Sequence, residues 1–409
     1  MNLGVSKRVK PLLDAVRAFV NEKVVPVDEE FLSEVDKGDR WSLTDRQAEI
    51  LDGLKSAARK QGLWNFWLTD SERGYGLSTV EYAYLAEETG RAHLAAEVFN
   101  CSAPDTGNME VLERYGTDEQ KQQWLEPLLN GEIRSAYAMT EPGVASSDAT
   151  NIATTAVLNN GEWVINGEKT YISGAGDERC KLIICMVKTN PDNDRHKQHS
   201  QILIPMDTPG VEVVRAMKVF AIDDAPHGHM HLKFTDVRVP EDNIVLGPGR
   251  GFEIAQGRLG PGRIHHCMRA IGMAERALDL MCRRSVSRIA FGKPLAELGG
   301  NYDTIANARM NIDMARLLTL QTAHVIDTGG VRDARVWISK IKAVVPIITL
   351  GIIDDAIQLH GAAGLSQDFP LAAMYMAART LRLADGPDEV HRMVVARDVL
   401  RPYSKTSTS

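Results

Sequence analysis

The chain has 409 residues, enough for two to three domains at about 150 residues each and for a sizeable buried core. Lysine and arginine number 47 against 54 aspartates and glutamates, a formal charge of −7, so no basic excess exists to neutralise a nucleic acid backbone. With 44% hydrophobic and 25% charged residues, the composition excludes a disulfide-stapled miniprotein and long disordered tracts.

The first twenty residues, MNLGVSKRVKPLLDAVRAFV, contain neither the uninterrupted apolar core nor the small-residue cleavage site of a secretory signal. Asp14 and Glu22 argue against a mitochondrial presequence, although a mitochondrial matrix location stays open for a eukaryotic chain. Up to about residue 134 apolar residues recur at helical spacing, as in LLDAVRAFV and AEILDGLKSAARKQGL; Ser78 followed by Glu81 reads as a capping box. This N-terminal domain, 1–134, is expected to be α-helical. Between 135 and 245 the texture changes to short runs rich in Val, Ile and Thr, such as CKLIICMVKT and QILIPMD. The Asn160–Gly161 and Asn166–Gly167 pairs suggest hairpin turns, so a small antiparallel β domain is expected. From 246 to 409 the 3.6-residue period returns, predicting a bundle of long helices, with the tail after Arg401, PYSKTSTS, as a frayed end.

Helices, then strands, then helices is an α+β order and not the alternation of a doubly wound sheet, and no GxGxxG follows a strand. The longest apolar run, Ala343 to Ile353, is interrupted by Pro346 and bounded by Lys342 and Asp354, so no membrane span is expected. The five cysteines, Cys101, Cys180, Cys185, Cys267 and Cys282, include no CxxC pair and suit reduced thiols in a cytoplasmic compartment. His227, His229 and His231 alternate along one strand, but no carboxylate or cysteine cluster accompanies them, and no metal is expected.

The stretch YAMTEPGVASSDATN, Tyr137 to Asn151, gathers hydroxyls, glycine and backbone donors, which suits either a cradle for a flat heterocycle or a plain polar loop. TEPGVASSD followed about twenty residues later by NGEKTYIS resembles the paired flavin-contacting signatures of the acyl-CoA dehydrogenase family. RIAFGKPL, QLHGAAGLSQDFP and LADGPDEVHR follow in that family's order, and the resemblance covers about 8 to 401. It implies the family's fold, a helical N-terminal domain, a β middle domain and a helical C-terminal bundle, and FAD as the cofactor.

Carried over by position, the resemblance sets Tyr137, Met139 and Thr140 near the isoalloxazine, with Tyr171 as its aromatic wall where tryptophan is usual and Ser173 near N5. Ser146 is placed close to both FAD and the CoA thioester arm. Arg288 would reach the FAD pyrophosphate of a neighbouring subunit, guanidinium being suited to bidentate phosphate contact. Gln358, Gly361 and Ala362 would serve the same cofactor, as would Pro387, Asp388 and Glu389, whereas Arg263 and Gly386 would contact the substrate. Most of the family carries glutamate in a YEGT motif where LADGPDEV places Asp385. Asp385 taken alone reads as the cap of a tight turn, but the motif context makes it the catalytic base. Aspartate there resembles a branch of animal proteins often fused to a phosphotransferase-like domain and of bacterial enzymes linked to 4-hydroxyacyl-CoA breakdown.

The resemblance therefore implies α,β-dehydrogenation of a fatty acyl-CoA, with electrons passed to an electron-transfer flavoprotein and FAD retained by a homo-oligomer, a dimer of dimers. Two alternatives remain open at this point: an oxidase or other flavin enzyme on the same fold, and a non-catalytic helical binding protein.

Overall fold

The structure is a computed structural model that describes residues 3–68 and 73–404; the side chains of residues 259–261 and the end of the tail, 405–409, lie outside the description. Helices come first: α1 (Lys10–Phe19), α2 (Val25–Ser33), α3 (Asp45–Lys60), α4 (Thr79–Thr89), α5 (Ala95–Val98), α6 (Asp105–Tyr115), α7 (Asp118–Gln120) and α8 (Glu126–Leu129). Strands follow: β1 (Arg134–Ala138), β2 (Thr155–Asn159), β3 (Glu162–Ser173), β4 (Cys180–Lys188), β5 (His199–Pro205), β6 (Val211–Ala216) and β7 (His229–Pro240). The long α9 (Gly251–Ser287) leads into a hairpin of β8 (Ile289–Ala290) and β9 (Lys293–Pro294), and then α10 (Asn301–Asp333), α11 (Arg335–His360), α12 (Leu371–Thr380) and α13 (Asp388–Ser404) complete the chain. The order is the α+β order expected.

The chain forms two compact units, neither continuous in sequence: Met1–Glu29, Phe66–Ala96 and Gly260–Ser409 make one, and Glu30–Asn65 with Glu97–Leu259 make the other. In the second unit the strands form one sheet in the order β1-β4-β2-β3-β7-β6, with β5 on the other edge of β4. Both β1 and β2 run parallel to β4, so the sheet is mixed where an antiparallel one was expected. The chain leaves β1, makes the β2–β3 hairpin and returns as β4 alongside and parallel to its starting strand. β4 and β5 are buried nearly throughout; β4 is apolar between its two lysines, and β5 buries His199, Ser200 and Gln201 ahead of its apolar residues.

Asn160–Gly161 is a hairpin turn, with φ of 53° and 81° in the left-handed region that this dipeptide tolerates. Asn166–Gly167 is not. It lies inside β3 at a register shift, and a Cβ on Gly167 would meet Thr154 Oγ1 at 2.5 Å, so glycine serves a close approach there.

In the helical unit α4 opens on the capping box of Ser78 and Glu81. α4 and α9 cross in backbone contact. A Cβ on Gly90 would lie 2.0 Å from the carbonyl oxygen of Arg269, and one on Gly272 would lie 1.9 Å from that of Glu87. Beside the crossing, Arg316 of α10 donates to both Glu87 carboxylate oxygens at 2.8 Å and also pairs with Glu275 of α9. α11 continues through Pro346, and with the turn after it is long and apolar enough to cross a membrane by length and composition. It is the core helix of the bundle: 56% of its apolar window is buried, and Lys342 in its middle is buried too.

Candidate active site

In the sheet unit the two motifs singled out in the sequence meet. The Thr170 N–H donates to the Thr140 carbonyl at 2.8 Å, closing the end of β1 onto β3. Lys169 falls on the inward-facing register of β3, after Trp163 and Ile165, and is 0% exposed. Its Nζ donates to the Met139 carbonyl at 3.1 Å, the Met186 carbonyl at 2.7 Å and Glu141 Oε1 at 2.9 Å. Glu141 in turn accepts from the Ala153 and Thr154 N–H groups at 2.7 and 2.9 Å. Burial pushes the Glu141 carboxyl upward, but Lys169 and the N–H donors outweigh it and hold it below its ordinary value. A buried ion pair thus ties TEPGVASSD to NGEKTYIS. Ser146 sits inside that loop, its Oγ accepting from the Glu141 N–H at 2.9 Å.

Past Lys169 the alternation of β3 slips. Tyr171 has φ of 56°, a costly conformation for an aromatic residue, and stands 53% exposed while Thr170 and Ile172 on either side are buried. Ser173 then pairs across the sheet with His229, its Oγ 2.9 Å from His229 Nδ1. The histidines of HGHMH go separate ways: His229 lies 3.4 Å from Asp224, His231 bonds Glu168 at 3.0 Å, and burial pushes His227 down to about 4. Tyr137 is half-buried with the Arg258 guanidinium 3.9 Å over its ring, and its hydroxyl accepts from Gln201 Nε2 at 3.0 Å. Among the described residues no group of three or more His, Cys, Asp or Glu is arranged to hold a metal.

In the helical unit the turn between α12 and α13 carries Asp385 and Gly386 in the left-handed region, at φ of 55° and 101°. The Asp385 carbonyl accepts from Arg263 Nε and Nη2 at 3.2 and 3.1 Å and from His391 Nε2 at 3.2 Å. Lys342 Nζ donates to the carbonyls of Leu381 and Gly386. Three residues from three helices therefore hold the main chain of this turn, and the Asp385 carboxylate meets His266 Nε2 of α9 at 3.1 Å. Burial lowers the pKa of Arg263, His266 and Lys342, each pulled back up by Asp385. Gly386 is required: its φ is glycine's, and a Cβ would sit 3.0 Å from His391 Nε2. Pro387 precedes α13; Asp388 is buried with Oδ2 on Arg382 Nε at 2.8 Å, and Glu389 is exposed.

Arg288 is exposed at the end of α9, where the β8–β9 hairpin begins, and the hairpin tip presents Phe291 at 97% exposure. Gln358, Gly361 and Ala362 lie exposed at the C-terminus of α11; Gly361 has φ of 64° and open space where a Cβ would be. Arg284 reaches the His360 carbonyl at 3.3 Å with its Nη2, while its buried Nε has no hydrogen-bond partner.

The sequence matches three family models in chain order: acyl-CoA dehydrogenase N-terminal domain at 6–132, middle domain at 136–237 and C-terminal domain at 249–400. The chain belongs to the acyl-CoA dehydrogenase family. It is 53% identical over 407 residues to acyl-CoA dehydrogenase family member 10 of Mus musculus, covering 98% of this chain but 38% of that protein's length. A probable acyl-CoA dehydrogenase of Mycobacterium tuberculosis, FadE2, is 53% identical over 358 residues, 87% of each chain. The solved structure of a putative acyl-CoA dehydrogenase from Mycobacterium abscessus is 54% identical, with a TM-score of 0.93 over 98% of this chain and 100% of that one.

Acyl-CoA dehydrogenases depend on FAD, and the donors of this chain fit that cofactor. An exposed aromatic on a strained bulge beside a serine hydroxyl suits a flat ring with a polar edge. The exposed Arg288, the open space at Gly361 and the orphaned Arg284 Nε suit a phosphate-bearing tail. Sequence reasoning assigned no role to Lys169, Glu141, His266, Lys342 or His391. The signal for Lys169 and Lys342 was a cation in register with apolar neighbours, which must find partners when buried.

Proposed function

We propose that this acyl-CoA dehydrogenase removes the α proton and β hydride of a fatty acyl-CoA to give the 2-enoyl thioester, with Asp385 as the base. The α C–H is weakly acidic, so removal needs a carboxylate at hydrogen-bond range and donors where negative charge develops on the thioester oxygen. The observation that carries the reading is the Asp385 turn, whose main chain is held by Arg263, His391 and Lys342 at the position of the family's catalytic motif. With its carbonyl turned onto those donors, the Asp385 side chain is turned toward α9, and its N–H is the candidate donor to the thioester oxygen. FAD, when bound, accepts the hydride. Thr140, Tyr171 and Ser173 bind its ring, Gln358, Gly361 and Ala362 its tail, and Arg263 and Gly386 the acyl-CoA.

Electrons leave to an electron-transfer flavoprotein. The chain works as a homo-oligomer, a dimer of dimers, in which the hairpin of Arg288 and the fully exposed Phe291 reach a second copy and its FAD. Five cysteines with no CxxC pair among them support a reducing, cytoplasmic setting. Asp385→Asn tests the reading: anaerobic flavin reduction by a panel of acyl-CoAs slows about 10²- to 10⁴-fold with FAD still bound. Reduction at the wild-type rate would refute it.

A further inference from the structure

Two adjacent histidines of α9 diverge. His265 points to α4, its Nδ1 3.5 Å from the Tyr82 hydroxyl, its ring 4.5 Å from the tyrosine ring, and burial drives its pKa well below the ordinary value. His266 points the other way, and its Nε2 lies 3.1 Å from Asp385 Oδ2 with both side chains about one-fifth exposed. Arg263 and His391 hold the Asp385 carbonyl, and Lys342 holds those of Leu381 and Gly386, so these three fix where the main chain of the turn sits.

We propose that His266 is the positioning residue of the base: its Nε2–H donates to Asp385 Oδ2, orienting the carboxylate and favouring its ionised form. This rests on the reading of Asp385 as the α-proton base. A carboxylate on a short side chain swings about its Cα–Cβ and Cβ–Cγ bonds, and a misplacement of about 1 Å can cost on the order of 10²-fold. A donor on a neighbouring helix restricts that freedom. His266 acts so as neutral imidazole with its proton on Nε2, the form that its surroundings favour. Burial opposes the imidazolium, as do Arg269 on its own helix and Lys342 on α11, against Asp385, which favours it. Among the described residues, the other charged or titratable groups around the pair include Arg263, His265 and Cys267 on α9, His391 and Asp388 on α13, and Arg382, which is paired to Asp388. Burial pushes His391 down to about 4, so it too is neutral.

Donation to the ionised form lowers the pKa of the base, so its loss raises that pKa. In the FAD-bound enzyme, His266→Leu should move the acid limb of the flavin-reduction profile about one unit toward higher pH, a drop of about tenfold at any pH on that limb. In alkaline solution, where the base is ionised in both proteins, only the pH-independent cost of a freely turning carboxylate should remain, up to on the order of 10²-fold. His266→Gln, whose amide nitrogen can stand where Nε2 stands, should restore the profile; His266→Asn, too short to reach, should behave as Leu and replaces it if Leu does not fold. A second readout isolates the proton. An acyl-CoA analogue with sulfur at the β position has no β hydride to give, and its α-hydrogen exchange in D2O should show the same pH shift. An acid limb that does not shift, whether or not the rate falls at every pH, a loss of melting temperature without a shift, or a profile unchanged in Leu or Asn while Asp385→Asn is slow would overturn the role of His266 alone. Asp385→Asn reducing its flavin at the wild-type rate would instead overturn the base, and the function with it.

Discussion

Replacing Lys169 with methionine tests whether the loop carrying Thr140 and Ser146 is held by one buried pair. The substitution keeps the length of the chain and removes its charge. It takes away three donations, to Met139 O, Met186 O and Glu141 Oε1, in a place where Lys169 is 0% exposed and the Glu141 side chain 5%. Breaking a buried pair from one side costs about 3–5 kcal/mol, because the orphaned partner stays desolvated. In a protein of this size, at about 2.1 cal/mol/K per residue, that is a fall in melting temperature of roughly 4–6 °C. The sign with pH follows from Glu141, whose folded-state pKa lies below the ordinary 4.5. Its contribution is complete above that value and is lost as pH falls through the folded pKa, so the gap between wild type and Lys169→Met should narrow below about pH 4.5. Thermal unfolding and flavin absorbance per protein are the assays, and FAD content should fall with stability because the Met139–Thr140 main chain loses its anchor. The double variant Lys169→Met, Glu141→Leu should recover much of the loss, since no charge is then stranded. A single variant within about 1 kcal/mol of wild type, with full FAD content, would refute the reasoning.

Gly386→Ala places a methyl 3.0 Å from His391 Nε2 at a φ of 101°, and should cost about 1–3 kcal/mol in thermal unfolding. It should also slow flavin reduction, because the turn that displaces to relieve the clash is the one bearing Asp385; an unchanged rate in stopped flow would argue that the carboxylate position is not critical. Phe291→Ser, at the tip of the exposed hairpin, should shift the protein toward smaller species in light scattering and lower FAD retention on dilution. An unchanged mass would remove the hairpin from the subunit interface.

The order of elements was legible because helix and strand periods differ and the chain keeps them in separate blocks. The parallel pairings of β4 were not, since strand order depends on how a loop returns and leaves no local pattern. Gly167 shows the same gap at one residue: an Asn–Gly pair promises a turn, but here the close approach of Thr154, not a chain reversal, demands the missing side chain. The site was legible only through its motifs. Tyr171 lies on a strand whose alternation fails at that residue, and nothing in the sequence announces a positive φ at a tyrosine. His266 escaped notice because two adjacent histidines on an amphipathic helix look like one polar edge; only the crossing of α4 and α9 sends them to different partners.

That arrangement also gives Asp385 a second duty. Arg263 and Lys342 are cations withdrawn from water, and the groups that favour their charged forms are few: Asp385 and Cys267 for Arg263, with Asp388 in addition for Lys342. Burial pushes the Cys267 thiol up to about 12, so it carries no charge at neutral pH, and Asp388 is committed to Arg382. The charge that balances the two cations is then the Asp385 carboxylate. The aspartate is held out by the cations on its backbone and in turn lowers the cost of their burial. Protonating it weakens both cations, and a substrate that delivers its α proton to Asp385 therefore lands it on a group whose neighbours all favour giving it up again.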